Sequence, residues 1–245
     1  MKKLLLTIIT LSIITFTGCY DPDTATVRIN LGNMPIAKHE PKSLIDRVLG
    51  LFEKEAQAQY TAEMYVHKIH LAAFSGNGLS TSMTIDASDV AVTYVMVSDQ
   101  STVELTVPAG DNITIAVIGE DINGAITHYG QNNTPINIKA GSVETVNIQV
   151  LTFDSLIASN YFNFHYEGEA VNYNAILAWN RIYGATDYSI EYNTFQIEEN
   201  YLPIYSGSDN SCLNTYYDSA NSNQYRIRIK FGFTGSESNQ ISFSF

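Results

Sequence analysis

From Ala62 to Val150 the chain is a succession of short runs rich in Val, Ile, Thr and Tyr, at 63–73, 80–86, 91–97, 102–107, 112–118, 124–129, 134–139 and 143–150. Gly, Pro, Asn and Asp punctuate them at short intervals, and this spacing limits the fold more than any other feature. β-Branched and aromatic side chains suit a pleated, half-buried surface, and short strands with turns between them predict a β-sandwich. Pro108-Ala109-Gly110 ends a strand that cannot continue through proline. Asn123-Gly124 can supply the positive φ angles of a tight hairpin. Lys139-Ala140-Gly141 turns into a final strand on which Val143, Thr145 and Asn147 alternate with Glu144, Val146 and Ile148. Upstream, Ala25–Leu31 also alternates, with Thr26, Arg28 and Asn30 on one face and Val27, Ile29 and Leu31 on the other. That is the pattern of a half-buried strand.

One helix interrupts the β pattern. Residues 41–56 open on Ser43 and Asp46, the S-x-x-D form of a capping box, and place Leu44, Val48 and Leu51 at helical spacing. The polar face mixes Asp46, Arg47, Glu53, Lys54 and Glu55, where a membrane-surface helix would be rich in Lys and Arg. Two roles stay open: the helix covers an end or edge of the first sandwich, or Leu44, Val48 and Leu51 dock a partner.

The chain starts with Lys2-Lys3, an uncharged run from Leu4 to Thr17, and Gly18-Cys19. The run is too short for a permanent membrane span and has the layout of a secretory signal. Thr17-Gly18-Cys19, with Phe16 in the upstream hydrophobic position, resembles the lipobox of bacterial lipoproteins. The resemblance implies that residues 1–18 are a signal peptide and that Cys19 becomes the acylated first residue of the mature chain. Residues 19–24 then form a lipidated tether. Tyr20 follows the cysteine, with Asp21 one place later, which favours the outer membrane or cell surface over inner-membrane retention.

Charge agrees with that placement. The net charge is −12, and loss of Lys2 and Lys3 takes it to −14. Phosphate backbones and anionic headgroups would repel such a chain, so nucleic acid is an unsuitable partner and acyl chains must supply any membrane attachment. Acylation of Cys19 leaves Cys212 without an intramolecular partner. It reads as a small buried strand residue, with an intermolecular disulfide as the other possibility.

Two further resemblances concern the fold. The stretch from Val103 to Val150 is loosely similar to the small transthyretin-like or prealbumin-like sandwiches of bacterial envelope proteins. The run AILAWNRIYGATDYSIEY, residues 175–192, resembles the B–C strand region of a fibronectin type III domain. That resemblance makes Trp179 a core residue and places Tyr225 at the tyrosine corner, with Gly235–Asn239 as the F–G turn. The expected architecture is therefore all-β, two immunoglobulin-like β-sandwich domains in tandem. The first spans 25–152 and includes the helix near 41–56; residues 153–160 are a linker; the second spans 161–245.

Catalytic signatures are missing: there is no G-x-S-x-G, H-E-x-x-H, phosphate loop or C-x-x-C. His67 and His70 are three apart, so on a strand they face opposite sides and read as surface or edge residues. Glu120, Asp121 and Asn123 form an oxygen-rich turn with too few ligands for calcium and read as hairpin residues. The expectation is a chain with no cofactor beyond the lipid on Cys19, no metal site and no catalytic residues. Eleven of the sixteen tyrosines lie from Tyr161 onward. Tyr201 and Tyr205, flanking Pro203, are the candidate binding residues, because tyrosine offers large amphipathic contact at small entropic loss. The functions that follow are a binding or adhesion module facing a surface glycan or envelope protein, or a structural component in which the second domain is a spacer.

Overall fold

The computed structural model describes residues 23–32, 34, 66–76, 78–86, 102–171, 174–193, 200–217 and 223–244. Cys19, the segment 41–56 with Leu44, Val48 and Leu51, and the run 91–97 lie outside them. The described chain is all-β, arranged as two sandwiches in tandem, with one short helix between them.

The first sandwich faces a small sheet against a large one. Its small sheet is β4 (Thr102–Pro108), β1 (Thr24–Asn30) and β8 (Val143–Asn147), in that order. β1 pairs antiparallel with β4 and parallel with β8, from Thr26 opposite Val143 to Asn30 opposite Asn147. The large sheet runs β3 (Gly78–Asp86), β2 (Lys68–Ser75), β5 (Gly110–Glu120), β6 (Ile126–Gln131), β9 (Leu151–Thr152), with β7 (Ile136–Ile138) also beside β5. Val27, Ile29 and Leu31 from one sheet and Ile69, Leu71, Ile113, Ile115 and Val117 from the other fill the space between them. Pro108-Ala109-Gly110 does more than stop a strand: it passes the chain from the small sheet to the large one. At the β5–β6 turn only Gly124 takes positive φ (86°), and Asp121 Oδ1 accepts from the Asn123 and Ala125 amides at 2.9 Å each. The Asp121 side chain thus does the work expected of a second left-handed residue.

The second sandwich faces β10 (His165–Val171), β11 (Asn174–Ala178) and β14 (Ser211–Asn214) against β13 (Tyr201–Gly207), β12 (Ala185–Asn193), β15 (Gln224–Phe231), β16 (Ser236–Glu237) and β17 (Ile241–Ser244). Trp179 is buried against Phe164, Tyr188 and Tyr205, at ring separations of 5.8, 5.1 and 6.2 Å. The Tyr225 hydroxyl accepts from Asn214 Nδ2 at 2.8 Å and is also bonded to the Tyr166 hydroxyl, so side chains hold it. Cys212 is a buried free thiol on β14.

The two cores are not separate. Residues of β2 and β5 are buried on both faces of the large sheet, which is why their sequences read as continuous apolar runs and not as alternating ones. The outer face of that sheet, with Ala72, Phe74, Ala116, Ile118 and Tyr129, belongs to the same apolar cluster as the core of the second sandwich. Phe74 meets Tyr183 at 5.5 Å and Phe233 at 6.2 Å, so the β11–β12 and β15–β16 turns are pressed onto the first sandwich. Residues 153–160, expected to be a linker, begin with helix α1 (Phe153–Ala158). Thr152 caps it, its hydroxyl accepting from the Ser155 amide at 3.2 Å, and Phe153 and Leu156 are buried in the shared core. Six residues with two large apolar side chains inward make a wedge, and a flexible spacer would leave those side chains in water.

Candidate functional site

The residues singled out for binding do not share a surface. Tyr201 and Tyr205 are four apart on β13, an edge strand, not in a loop, so regular pairing would point both the same way. The pairing slips instead: Tyr205 lies opposite Ile190, Pro203 opposite Glu191, and Ile204 is the extra residue of a β-bulge. Edge position and bulge together explain how Pro203 fits inside a strand. Tyr205 therefore turns inward against Trp179, and its hydroxyl accepts from the Asp209 amide at 2.7 Å. Tyr201 lies beneath the Arg226 guanidinium, 3.7 Å from the ring centre.

The histidine pair is corrected as well. His70 is buried in β2, an interior strand between β3 and β5, and is neither a surface nor an edge residue. Its Nε2 is 2.8 Å from Glu120 Oε2 and its Nδ1 is 2.7 Å from the Thr84 hydroxyl. Glu120, expected to serve only the hairpin, is equally buried, and its Oε1 accepts from Lys68 Nζ at 2.7 Å. Ser236 of the second sandwich donates to Glu120 Oε2 at 3.3 Å, and Ser238 bridges to Ile126. Burial pushes the Glu120 carboxyl upward, but the hydrogen bonds from Lys68 and His70 outweigh it and leave the carboxyl below its ordinary range. Burial lowers the His70 imidazole, against the pull of Glu120. Hydroxyl, imidazole and carboxylate stand in the order of an acid–base relay. The carboxylate is also bonded to Lys68 and Ser236, so the group ties the large sheet of the first sandwich to β16 of the second. Among the described residues, no group of three or more His, Cys, Asp or Glu converges on a metal position.

The arrangement best suited to a ligand lies elsewhere along the same seam. The distal ends of β1 and β8, the extended segment 148–151, the end of β6 and the residues after α1 enclose a cleft of about 810 Å³. Asn30, Gln131, Asn133, Asn147, Gln149, Ser159 and Tyr161 are its polar lining among the described residues, and none of the described lining residues is Asp, Glu, Lys or Arg. Its size falls within the range of about 300–1,000 Å³ typical of small-molecule sites, and a domain junction is a favoured place for one. Register assembles it. The parallel β1–β8 pairing sets Asn30 beside Asn147, and Asn30 Nδ2 donates to Asn147 Oδ1 at 2.6 Å, while the Thr102 hydroxyl donates to Asn30 Oδ1 at 2.8 Å. Gln131 Oε1 accepts from the Tyr129 hydroxyl. The half-buried Tyr161 ring packs edge-on to Phe162 at 5.4 Å, and burial raises its phenol against a backbone hydrogen bond at Gln131. Gly130 lets the segment 148–150 lie against β6, because a Cβ there would stand 2.5 Å from the Gln149 carbonyl oxygen.

Sequence reasoning placed Asn30 on an outward face but could not pair it with the other amides of the cleft. The usable signal was a set of amide side chains at strand ends; what brings them together is pairing across more than a hundred residues.

The fold and the seam define an all-β protein of two sandwiches joined through a common core, with an amide-lined cleft at the junction. No family model matches the chain, and no curated protein does. Among solved structures it is similar to the Endo-D glycoside hydrolase domain from Streptococcus pneumoniae R6, at 8% identity and a TM-score of 0.27, over 73% of this chain and 26% of that one. It is also similar to a set of titin domains, at 14% identity and a TM-score of 0.27, over 71% of this chain and 53% of that one. The chain thus spans about a quarter of the first and about half of the second. Overlaps this slight carry neither activity nor partner across.

Proposed function

We propose that this chain is a non-catalytic, lipid-anchored cell-envelope protein, placed at the outer membrane or cell surface, that works as a binding module. The observation that carries the reading is Gly18-Cys19 closing the uncharged run Leu4–Thr17. The described fold supports it through distance. β1 begins at Thr24, so the chain from Cys19 to the first strand reaches under about 20 Å when fully extended. The head is held close to its anchor. β1 then runs away from that end for seven residues, roughly 20 Å, and finishes at Asn30 in the cleft. The cleft is thus at the end of β1 remote from the lipid, where a binding module presents its site.

Feeding cells an alkyne-tagged fatty acid tests the anchor. The protein takes up the tag and stays with membranes, whereas Cys19→Ala loses the tag and moves to the soluble fraction. Unchanged membrane retention of Cys19→Ala sinks the reading. Protease treatment of intact cells then tells outside from periplasm: cleavage of the head supports surface display, and full protection removes adhesion.

A second reading, a structural component with the C-terminal sandwich as spacer, is favoured by one feature. Ile176 and Leu213 are register partners on β11 and β14 and are 42% and 55% exposed, an apolar pair suited to an envelope protein.

A further inference from the structure

We infer that the cleft at the seam takes an uncharged carbohydrate chain, an assignment that rests on the binding-module reading above and names its ligand class. The argument begins with what the walls offer. A primary amide carries two N–H donors and a carbonyl acceptor on one planar group. A sugar hydroxyl is both donor and acceptor, and vicinal hydroxyls repeat that pair at short spacing, so amides match them in both senses. Asn30, Gln131, Asn133, Asn147 and Gln149 all line this one cleft.

The second observation is charge. The whole chain has 16% charged residues, with Asp and Glu outnumbering Lys and Arg by 25 to 13, yet the lining has none among the described residues. A phosphate, a carboxylate or an ammonium ligand would give up part of its hydration there and meet no opposite charge from these side chains, which disfavours it. A neutral polyol pays no such penalty.

Preorganisation is the third. The Asn30 and Asn147 side chains are bonded to each other, Asn30 is further held by Thr102, and Gln131 is held by Tyr129. Side chains already fixed lose little further freedom when a ligand binds. Finally, the Tyr161 ring is half-buried, fixed against Phe162 and bonded at Gln131, and it supplies an aromatic surface on which the C–H face of a sugar ring can rest. Donor–acceptor walls with one aromatic rest among the described residues describe a site for a neutral glycan.

The test uses the intact lipidated protein in detergent on an array of immobilised neutral and acidic oligosaccharides, followed by calorimetry on each bound neutral glycan. Asn147→Ala and Gln149→Ala are the informative variants, because both side chains are exposed and neither belongs to the apolar core. Each is expected to weaken binding of the neutral glycan by about tenfold, the equivalent of one lost hydrogen bond, with an unchanged melting temperature. Binding of acidic glycans alone overturns the assignment, as does neutral-glycan binding that both variants keep in full. A blank array from a protein that Cys19-dependent labelling shows to be anchored, and whose removal abolishes attachment of cells to a surface, overturns the glycan while leaving the binding module standing. A blank array together with unaffected attachment overturns both.

Discussion

Replacing Tyr129 by alanine tests whether the two sandwiches are one cooperative body. Tyr129 is fully buried on β6 and its ring faces Phe153 of α1 at 6.2 Å, Phe162 at 5.9 Å and Phe231 of β15 at 6.0 Å. Its hydroxyl donates to Gln131 Oε1 and, more weakly, to the Tyr183 carbonyl at 3.3 Å. Truncating a large buried aromatic to alanine destabilises by about 3–5 kcal/mol, and each aromatic pair adds about 0.5–1.5 kcal/mol beyond its area. With three rings abandoned, the upper part of that range applies, about 4–5 kcal/mol. At about 2–4 °C per kcal/mol for a chain of this size, the melting temperature falls by about 8–20 °C. The location matters more than the size of the loss. Because this ring joins the outer face of the first sandwich to the core of the second, calorimetry should show one transition in the parent protein and two in Tyr129→Ala. Protease should then cut the variant near residues 153–160. Tyr129→Phe keeps the ring, loses only the hydroxyl bonds, and should cost about 1 kcal/mol with the single transition intact. Two separated transitions in the parent, or a loss below about 1 kcal/mol in Tyr129→Ala, would refute the common core.

Acid should weaken the fold in two stages. Burial lowers the imidazoles of both His70 and His128, so between the unfolded value near about 6.5 and the folded one the unfolded chain binds more protons, and stability falls as pH drops through that window. The Glu120 carboxyl lies below its ordinary range, so its contribution is complete above about pH 4.3 and is lost as pH falls through the folded value. A urea midpoint that declines from about pH 7 downward, with a shallower first stage in His70→Gln, is the expected record; a midpoint constant down to about pH 4 contradicts it. Cys212 is buried and its thiol is pushed up to about 12, so a thiol reagent at neutral pH should label it only in denaturant. Rapid labelling of the native protein would show that β14 opens far more easily than its packing implies.

Local pattern was enough for much of this molecule. Val27, Ile29 and Leu31 alternate with polar neighbours and are all fully buried; Pro108 stops β4; Gly124 takes the left-handed turn position. Trp179 is buried among aromatic rings. Such features depend on a few consecutive residues, where side-chain period and backbone sterics act directly. The errors have a common cause. Residues 153–160 read as a linker because a single turn of helix has little propensity signal, and only the large sheet waiting beneath it gives Phe153 and Leu156 somewhere to go. Tyr201 and Tyr205, flanking Pro203, read as loop residues because neither an edge strand nor a bulge at Ile204 leaves a mark in the sequence. His70 looked peripheral because the sequence does not tell whether a strand is an edge.

The sequence by itself determined the all-β class, the turns at Pro108 and Gly124 and the buried face of β1, since each is encoded within a window of a few residues. Tertiary structure alone decided that the large sheet is covered on both faces. It also placed Glu120, His70, Thr84 and Ser236 within reach of one another, and gathered Asn30, Gln131, Asn147 and Tyr161 around one cleft. Those outcomes depend on pairing and packing between segments as many as 117 residues apart, such as Asn30 with Asn147, and strand period fixes which way a side chain points but not what it meets.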